Sequence, residues 1–167
     1  MSKALFVTRD DLVKKSLLGG NVDLDKVLQY VELAQDMHIQ TQLGTDLYEK
    51  LQADIIAGTL AGNYQTLVRD YIKPMLIHYA ASEYLLFISY EIGNAGVTKH
   101  TPENAEVATN SEVSFLADKE RQYAEFYTDR FNAYMTYNAA TLFPEFYTNS
   151  NGDMRPERTE NQTSWVL

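Results

Sequence analysis

Residues 29–55 read QYVELAQDMHIQTQLGTDLYEKLQADI, and this stretch decides how the rest of the chain is read. Apolar residues recur at helical spacing ahead of Leu43-Gly44-Thr45-Asp46: Leu24, Val27, Leu28, Val31 and Ala34, then Ile39 and Leu43 displaced by one position. They recur behind it at Leu47, Leu51 and Ile55. Apolar positions three and four apart mark a helix that buries one face. Gly44 bears no Cβ penalty in a left-handed backbone, so it closes the first helix. Thr45 or Asp46 is placed to accept from the open amides of the second, with Glu49 completing a capping box. Stop and start signals in adjacent residues predict a sharp helix–turn–helix corner.

Upstream of the corner, Ala4-Leu5-Phe6-Val7 predicts an extended apolar segment laid on the body. Thr8, with Asp11 three residues on, caps a short helix over residues 9–17, which Gly19-Gly20-Asn21 breaks. Asp23 then opens the first long helix. Downstream, a short helix spans residues 46–57 and Gly58 to Asn63 interrupts it. The third helix has the clearest period: Tyr64, Leu67, Val68, Tyr71, Ile72, Met75, Leu76 and Tyr79. Leu85 to Ile88 make it apolar on most sides, which places it centrally. Pro74 removes a donor inside the period and predicts a kink over residues 70–74.

The helical pattern stops between residues 93 and 110. Gly93-Asn94-Ala95-Gly96 is a turn signal, and 96–101 and 105–109 are β-tolerant pieces around Pro102. A long loop or an irregular β excursion is expected there, and excursions of this length are usually functional or disordered. Ser111 or Asn110 caps a fourth helix over residues 112–138. Its Tyr and Phe stripes, including Phe115, Phe126, Phe131 and Met135, are expected to be mostly core. Phe143-Pro144 stops it. The polar stretch from Tyr147 to Leu167 has no period, so it is expected to lack order of its own and to be removable without loss of the helical fold. It ends in the apolar tip Trp165-Val166-Leu167. The expected architecture is all-α: a small bundle of about four main helices over residues 1–145, with a protruding loop at 93–110 and an extended tail at 146–167.

Composition excludes several classes of function. The chain has 167 residues and a net charge of −9, from 14 Lys+Arg against 23 Asp+Glu. Broad binding to a nucleic-acid backbone needs clustered positive charge, which this balance opposes. There is no cysteine, so disulfides, thiolate catalysis and cysteine-zinc sites are excluded. No apolar run is long enough for a membrane span, and the N-terminal residues do not read as a secretory leader. His38, His78 and His100 are not preceded at three residues by Glu, which removes the Glu-x-x-His pairs of a di-iron bundle. Phosphate-binding glycine loops and nucleophile elbows are absent as well. No catalytic, cofactor or metal site is therefore expected. The candidates for contact with a partner are Gly96, Val97, Thr98, Lys99 and His100 in the loop, and Phe146, Tyr147, Trp165, Val166 and Leu167 in the tail.

Several stretches resemble one family: ALFVTRDDL near the start, GGNVDLDKVLQYVELAQDMHIQTQLGTDLYEKL, and the GNAGV turn ahead of a long Tyr-rich helix. They are similar to head–tail connector (adaptor) proteins of tailed bacteriophages, in particular those of Bacteroides-infecting and crAss-like phages. AQDMHIQTQLGTDL carries the likeness most specifically, and the likeness covers residues 4–138. The resemblance implies a small helical bundle assembled as a ring, commonly of twelve copies, beneath the portal. Such a ring extends the DNA channel, lets DNA pass without specific binding, and offers a docking surface to tail or further neck proteins. It implies a structural role in the virion neck after synthesis in the bacterial host cytoplasm, with no enzymatic activity, cofactor or membrane. Two other classes compete with it. One is a DNA-binding regulator using the helix–turn–helix near Gly44; the other is a helical-bundle enzyme whose site the sequence does not display.

Overall fold

A computed structural model describes residues 3–16, 23–88, 90–93, 96–99 and 108–157. The fold is an all-α bundle. A short helix α1 (Arg9–Lys15) precedes a long helix α2 over residues 24–43. Helix α3 (Thr45–Ala57) follows directly, and α4 covers residues 62–85. Two strands, β1 (Tyr90–Gly93) and β2 (Gly96–Lys99), separate it from the longest helix, α5 (Asn110–Leu142). A 3-10 turn, Pro144–Phe146, ends the helical body.

Helix α2 is α-helical over Leu24–Ala34, π-helical over Gln35–Gln40 and α-helical again to Leu43. A π turn holds one residue more than an α turn. That extra residue accounts for the phase slip between Ala34 and Ile39, because it returns Ile39 and Leu43 to the face already occupied by Val27 and Val31; all five are fully buried. A second π turn, Val68–Ile72, lies in α4 just ahead of Pro74. The expected disturbance at the proline is thus a local re-pairing of the backbone that absorbs the missing donor.

The corner is built differently from the sequence expectation. Gly44 has φ 73° and ψ 159°, an extended conformation of positive φ and not a left-handed helical one. No side chain caps α3. Leu43, Leu47 and Leu51 carry the burial at the corner, each stabilising the fold by about 1.5–3 kcal/mol on full burial. Other caps are also redistributed. Thr8 and Asp11 form the expected capping box on α1. On α5 the cap is Thr109 with Glu112, in place of Ser111 or Asn110.

Helix α4 is central, packed against α5 on one side and α2 on another. Met75, Leu76, Ile77, Ala80 and Ala81 are buried in it. Residues 4–7 lie on the body as expected, with Phe6 and Val7 buried. Two glutamines hold them. Gln35 Oε1 accepts from Phe6 N at 2.9 Å and its Nε2 donates to Ala4 O at 3.0 Å. Gln52 Oε1 accepts from Ala4 N at 2.6 Å and its Nε2 donates back to Ala4 O at 2.7 Å. These side chains satisfy backbone groups that would otherwise be buried without partners.

Residues 146–157, the first part of the expected tail, pack on the body. Phe146 is buried, and residues 147–157 run back over the corner. Thr45 N donates to Met154 O and Glu157 N to Thr41 O, both at 2.9 Å. Asp46 accepts from Thr148 Oγ1 at 2.6 Å and Ser150 N at 2.8 Å. The corner's polar residues, read from sequence as helix caps, anchor the tail. These bonds hold the Asp46 carboxyl below its usual range, led by the one from Ser150 N.

Candidate interaction surfaces

Three surfaces arise from this packing. The first is the hairpin. Strands β1 and β2 pair antiparallel from Tyr90↔Lys99 to Gly93↔Gly96. The strands end and resume at Gly93 and Gly96, the bounds of the expected turn; β2 lies within the first β-tolerant piece, 96–101, β1 precedes it, and residues 105–107 of the second piece lie outside the described residues. Among the described residues the hairpin has no third strand. Its base is an apolar collar: Leu86, Phe87, Ile88 and Tyr90 are all exposed. The expectation that Leu86 to Ile88 continue a buried helix fails because α4 ends at Leu85 and the chain turns outward. Phe87 stacks on Tyr30 at 5.7 Å, and Tyr90 Oη donates to Asn110 Oδ1 at 3.1 Å, tying the hairpin base to the start of α5.

The second surface is the outer face of α5. The helix buries three alanines, Ala117, Ala124 and Ala139, together with Glu120, Phe131 and Met135. The short side chains let α5 approach α4 closely, and several of its large aromatics lie outside. Phe115, Leu116, Tyr123, Phe126 and Tyr137 are exposed, Tyr137 by 86%. Phe115 and Phe126 are therefore surface residues and not the core stripe that periodicity suggested. The sequence did contain the signal: on α5 the alanines, not the aromatics, share a face with Phe131 and Met135.

The third is a polar seam where α4 meets α2 and α5. His78 Nδ1 lies 2.7 Å from Glu120 Oε2, and Glu120 is almost wholly buried. His78 also stacks on Tyr127. His38 stacks on Tyr79 at 3.9 Å, with Nε2 3.6 Å from Glu83 Oε1. Arg121 reaches the same Glu83 oxygen at 3.6 Å. Burial lowers the His38 pKa; Glu83 opposes that shift and Arg121 adds to it. Among the described residues, no group of three or more His, Asp or Glu is arranged to hold a metal ion.

A groove of about 800 Å³ lies along α3, lined by Lys3, Tyr48, Glu49, Gln52, Ala53 and Ile56. Its charged groups are already engaged. Lys3 pairs with Asp36, and Glu49 accepts from Asn151 at 2.9 Å. Lys50 on the same helix pairs with Asp54. Among the described residues no helix is long and apolar enough to cross a membrane.

Of the residues singled out from sequence, Gly96, Val97, Thr98 and Lys99 form β2. Phe146 is core, 6% exposed, because the 3-10 turn after Phe143 rotates it inward; it is not a contact residue for a partner. Tyr147 is exposed and meets Phe146 edge to face. His100, Trp165, Val166 and Leu167 lie outside the described residues.

The molecule is thus a small all-α bundle with one hairpin and an aromatic outer face. The chain belongs to a family of unknown function, DUF6712, whose model matches residues 39–156. That span begins inside the corner segment and ends at the proline seated on Gly44. No curated protein and no solved structure matches the chain.

Proposed function

We propose that this chain is a structural virion protein, a subunit of the head–tail connector ring that docks on the portal, extends the DNA channel and joins capsid to tail. The observation that carries the reading is the hairpin on its apolar collar. Two four-residue strands alone are marginal in water. Among the described residues no third strand covers their outer edges, and such edges can pair with a strand of another chain. Exposed Leu86, Phe87, Ile88 and Tyr90 beneath them supply apolar area for the same contact. An arm of this kind on a rigid bundle suits bridging between subunits. The residues that resemble connectors, AQDMHIQTQLGTDL, overlap the start of the family match.

The chemistry of the subunit is compatible. A net charge of −9 opposes adhesion of DNA moving through a bore. A ring of identical copies, commonly twelve, needs two different faces on each subunit, and the hairpin with its collar serves as one of them. No observation favours a DNA-binding regulator.

The test is mass measurement of the full chain alone and with a tailed-phage portal protein, using the parent and a variant whose residues 91–98 are replaced by Gly-Gly. The parent should join the portal complex and the variant should not. A parent that never joins portal complexes, or that binds duplex DNA with steep salt dependence, sinks the reading.

A further inference from the structure

The outer face of α5 carries a regular pattern that the connector reading does not use. Phe115, Phe126 and Tyr137 are each eleven residues apart. Eleven residues are three helical turns plus about 20°, so the three rings form a nearly straight row with a rise of about 16 Å per step. The row lies opposite the buried side that holds Ala117, Ala124, Phe131, Met135 and Ala139. Phe115 is 60%, Phe126 63% and Tyr137 86% exposed, and Tyr123 beside them is 51% exposed.

We infer that this row is the contact face for a second copy of the same chain, packed antiparallel with α5 against α5 about a two-fold axis at Phe126. Spacing, charge and area select that partner.

The first is spacing. Equal steps on either side of Phe126 make the row its own complement. A two-fold at that residue places Phe126 on Phe126 and Phe115 on Tyr137, twice over. A two-fold contact of this kind is isologous, with the same patch on both copies.

The second is charge. The same axis places Lys119 opposite Ala133, Gln122 opposite Arg130 and Tyr123 opposite Asp129. It also places Asp118 opposite Tyr134 and Glu125 opposite Tyr127. No like-charged residues meet at the same height. A parallel pairing in register would instead set Lys119 on Lys119, Asp129 on Asp129 and Arg130 on Arg130.

The third is area. An aromatic side chain buries roughly 150–250 Å² in full, so these four exposed rings present about 550 Å² per copy. With Leu116, 41% exposed, and the stems of Lys119 and Arg130, the row approaches the roughly 800 Å² per partner of a standard interface.

A two-fold contact closes on itself. On its own it gives a dimer, a separate head-to-tail contact would join such pairs into a larger assembly, and it does not rest on the connector reading.

The test uses the full chain at tens of micromolar. Light scattering after gel filtration should give the mass of two chains. Phe126→Glu should halve that mass while the circular dichroism spectrum stays unchanged, since Phe126 points away from the core; its melting temperature should fall only to that of the dilute, dissociated parent. The absence of cysteine allows a second measurement on a silent background. Helices in contact bring facing Cα atoms within disulfide reach. Phe126→Cys should cross-link to itself on oxidation. Phe115→Cys and Tyr137→Cys should not self-link, but their equimolar mixture should give the mixed dimer. A one-chain mass for the parent overturns the inference, as does self-linking of Phe115→Cys with none at position 126. An assembly larger than two that survives Phe126→Glu overturns the pair and leaves the connector reading standing. A dimer that never joins a portal complex does the reverse.

Discussion

Replacing Gly44 with alanine tests how the corner holds the tail. Two penalties meet at this residue. Its backbone sits at φ 73° and ψ 159°, a region that is essentially glycine-only and costs a side chain about 1–3 kcal/mol. A Cβ there would also lie 2.5 Å from Pro156 Cδ and 2.8 Å from Pro156 N. Overpacking of that kind costs about 1–3 kcal/mol. The clash has a ceiling, because the tail can let go. Its backbone bonds to Thr45 and Thr41 contribute about 0.5–1.5 kcal/mol each, so release costs about as much as the clash. Gly44→Ala should therefore destabilise the full chain by about 2–5 kcal/mol. In a chain ending at Phe146 the clash is gone, and the substitution should cost only the backbone term, about 1–3 kcal/mol. Urea unfolding followed by far-UV circular dichroism, on all four proteins, closes the cycle. Equal costs in the two backgrounds would show that Pro156 does not press on Gly44. A cost below about 0.5 kcal/mol in both would show that the positive φ is not held either.

Three further outcomes are expected. Gln35→Leu removes the acceptor of Phe6 N inside the core; urea unfolding should show a loss of about 1–3 kcal/mol, the cost of a buried unsatisfied amide. His38 is held below its ordinary pKa by burial, so the folded state favours the neutral ring and stability should fall as pH drops through about 6.5. His38→Phe keeps a ring over Tyr79, and melting temperatures from pH 7.5 to 5 should decline less steeply than in the parent. For Asp11, burial pushes the carboxyl up, but the Lys73 ammonium and the Thr8 cap more than reverse this and bring it down to about 2. A depressed carboxylate stabilises above its unfolded value near 3.8 and stops doing so as pH falls toward 2. Asp11→Asn should thus cost on the order of 1 kcal/mol at pH 7 and almost nothing at pH 2, measured by urea titration at both.

The helical architecture was legible because it rests on apolar period. The stripes through Val27, Val31, Leu47, Leu51, Leu67, Ile72 and Met75 are the buried core. Even the π turn was visible, as the one-residue slip before Ile39. What failed were inferences from side-chain type alone. Of the Phe stripe expected in the core of α5, Phe131 is buried, but Phe115 and Phe126 face outward, because much of the close approach to α4 is made by alanines. Thr45 and Asp46 have the chemistry of helix caps, and that chemistry serves equally well to hold a chain more than a hundred residues later. Nothing local distinguishes the two uses. The glutamine clamps were invisible for the same reason, since Gln35 and Gln52 meet Ala4 and Phe6 only through tertiary packing.

The corner also holds the segment that returns to it. Glu157 N is bonded to Thr41 O, and Gln42 Nε2 donates to the Glu157 carboxylate at 3.0 Å. The absence of a Cβ at Gly44 leaves the room that Pro156 occupies against the backbone. The turn thus couples two requirements in one residue: it joins α2 to α3, and it seats the segment that runs back from Phe146 to Glu157.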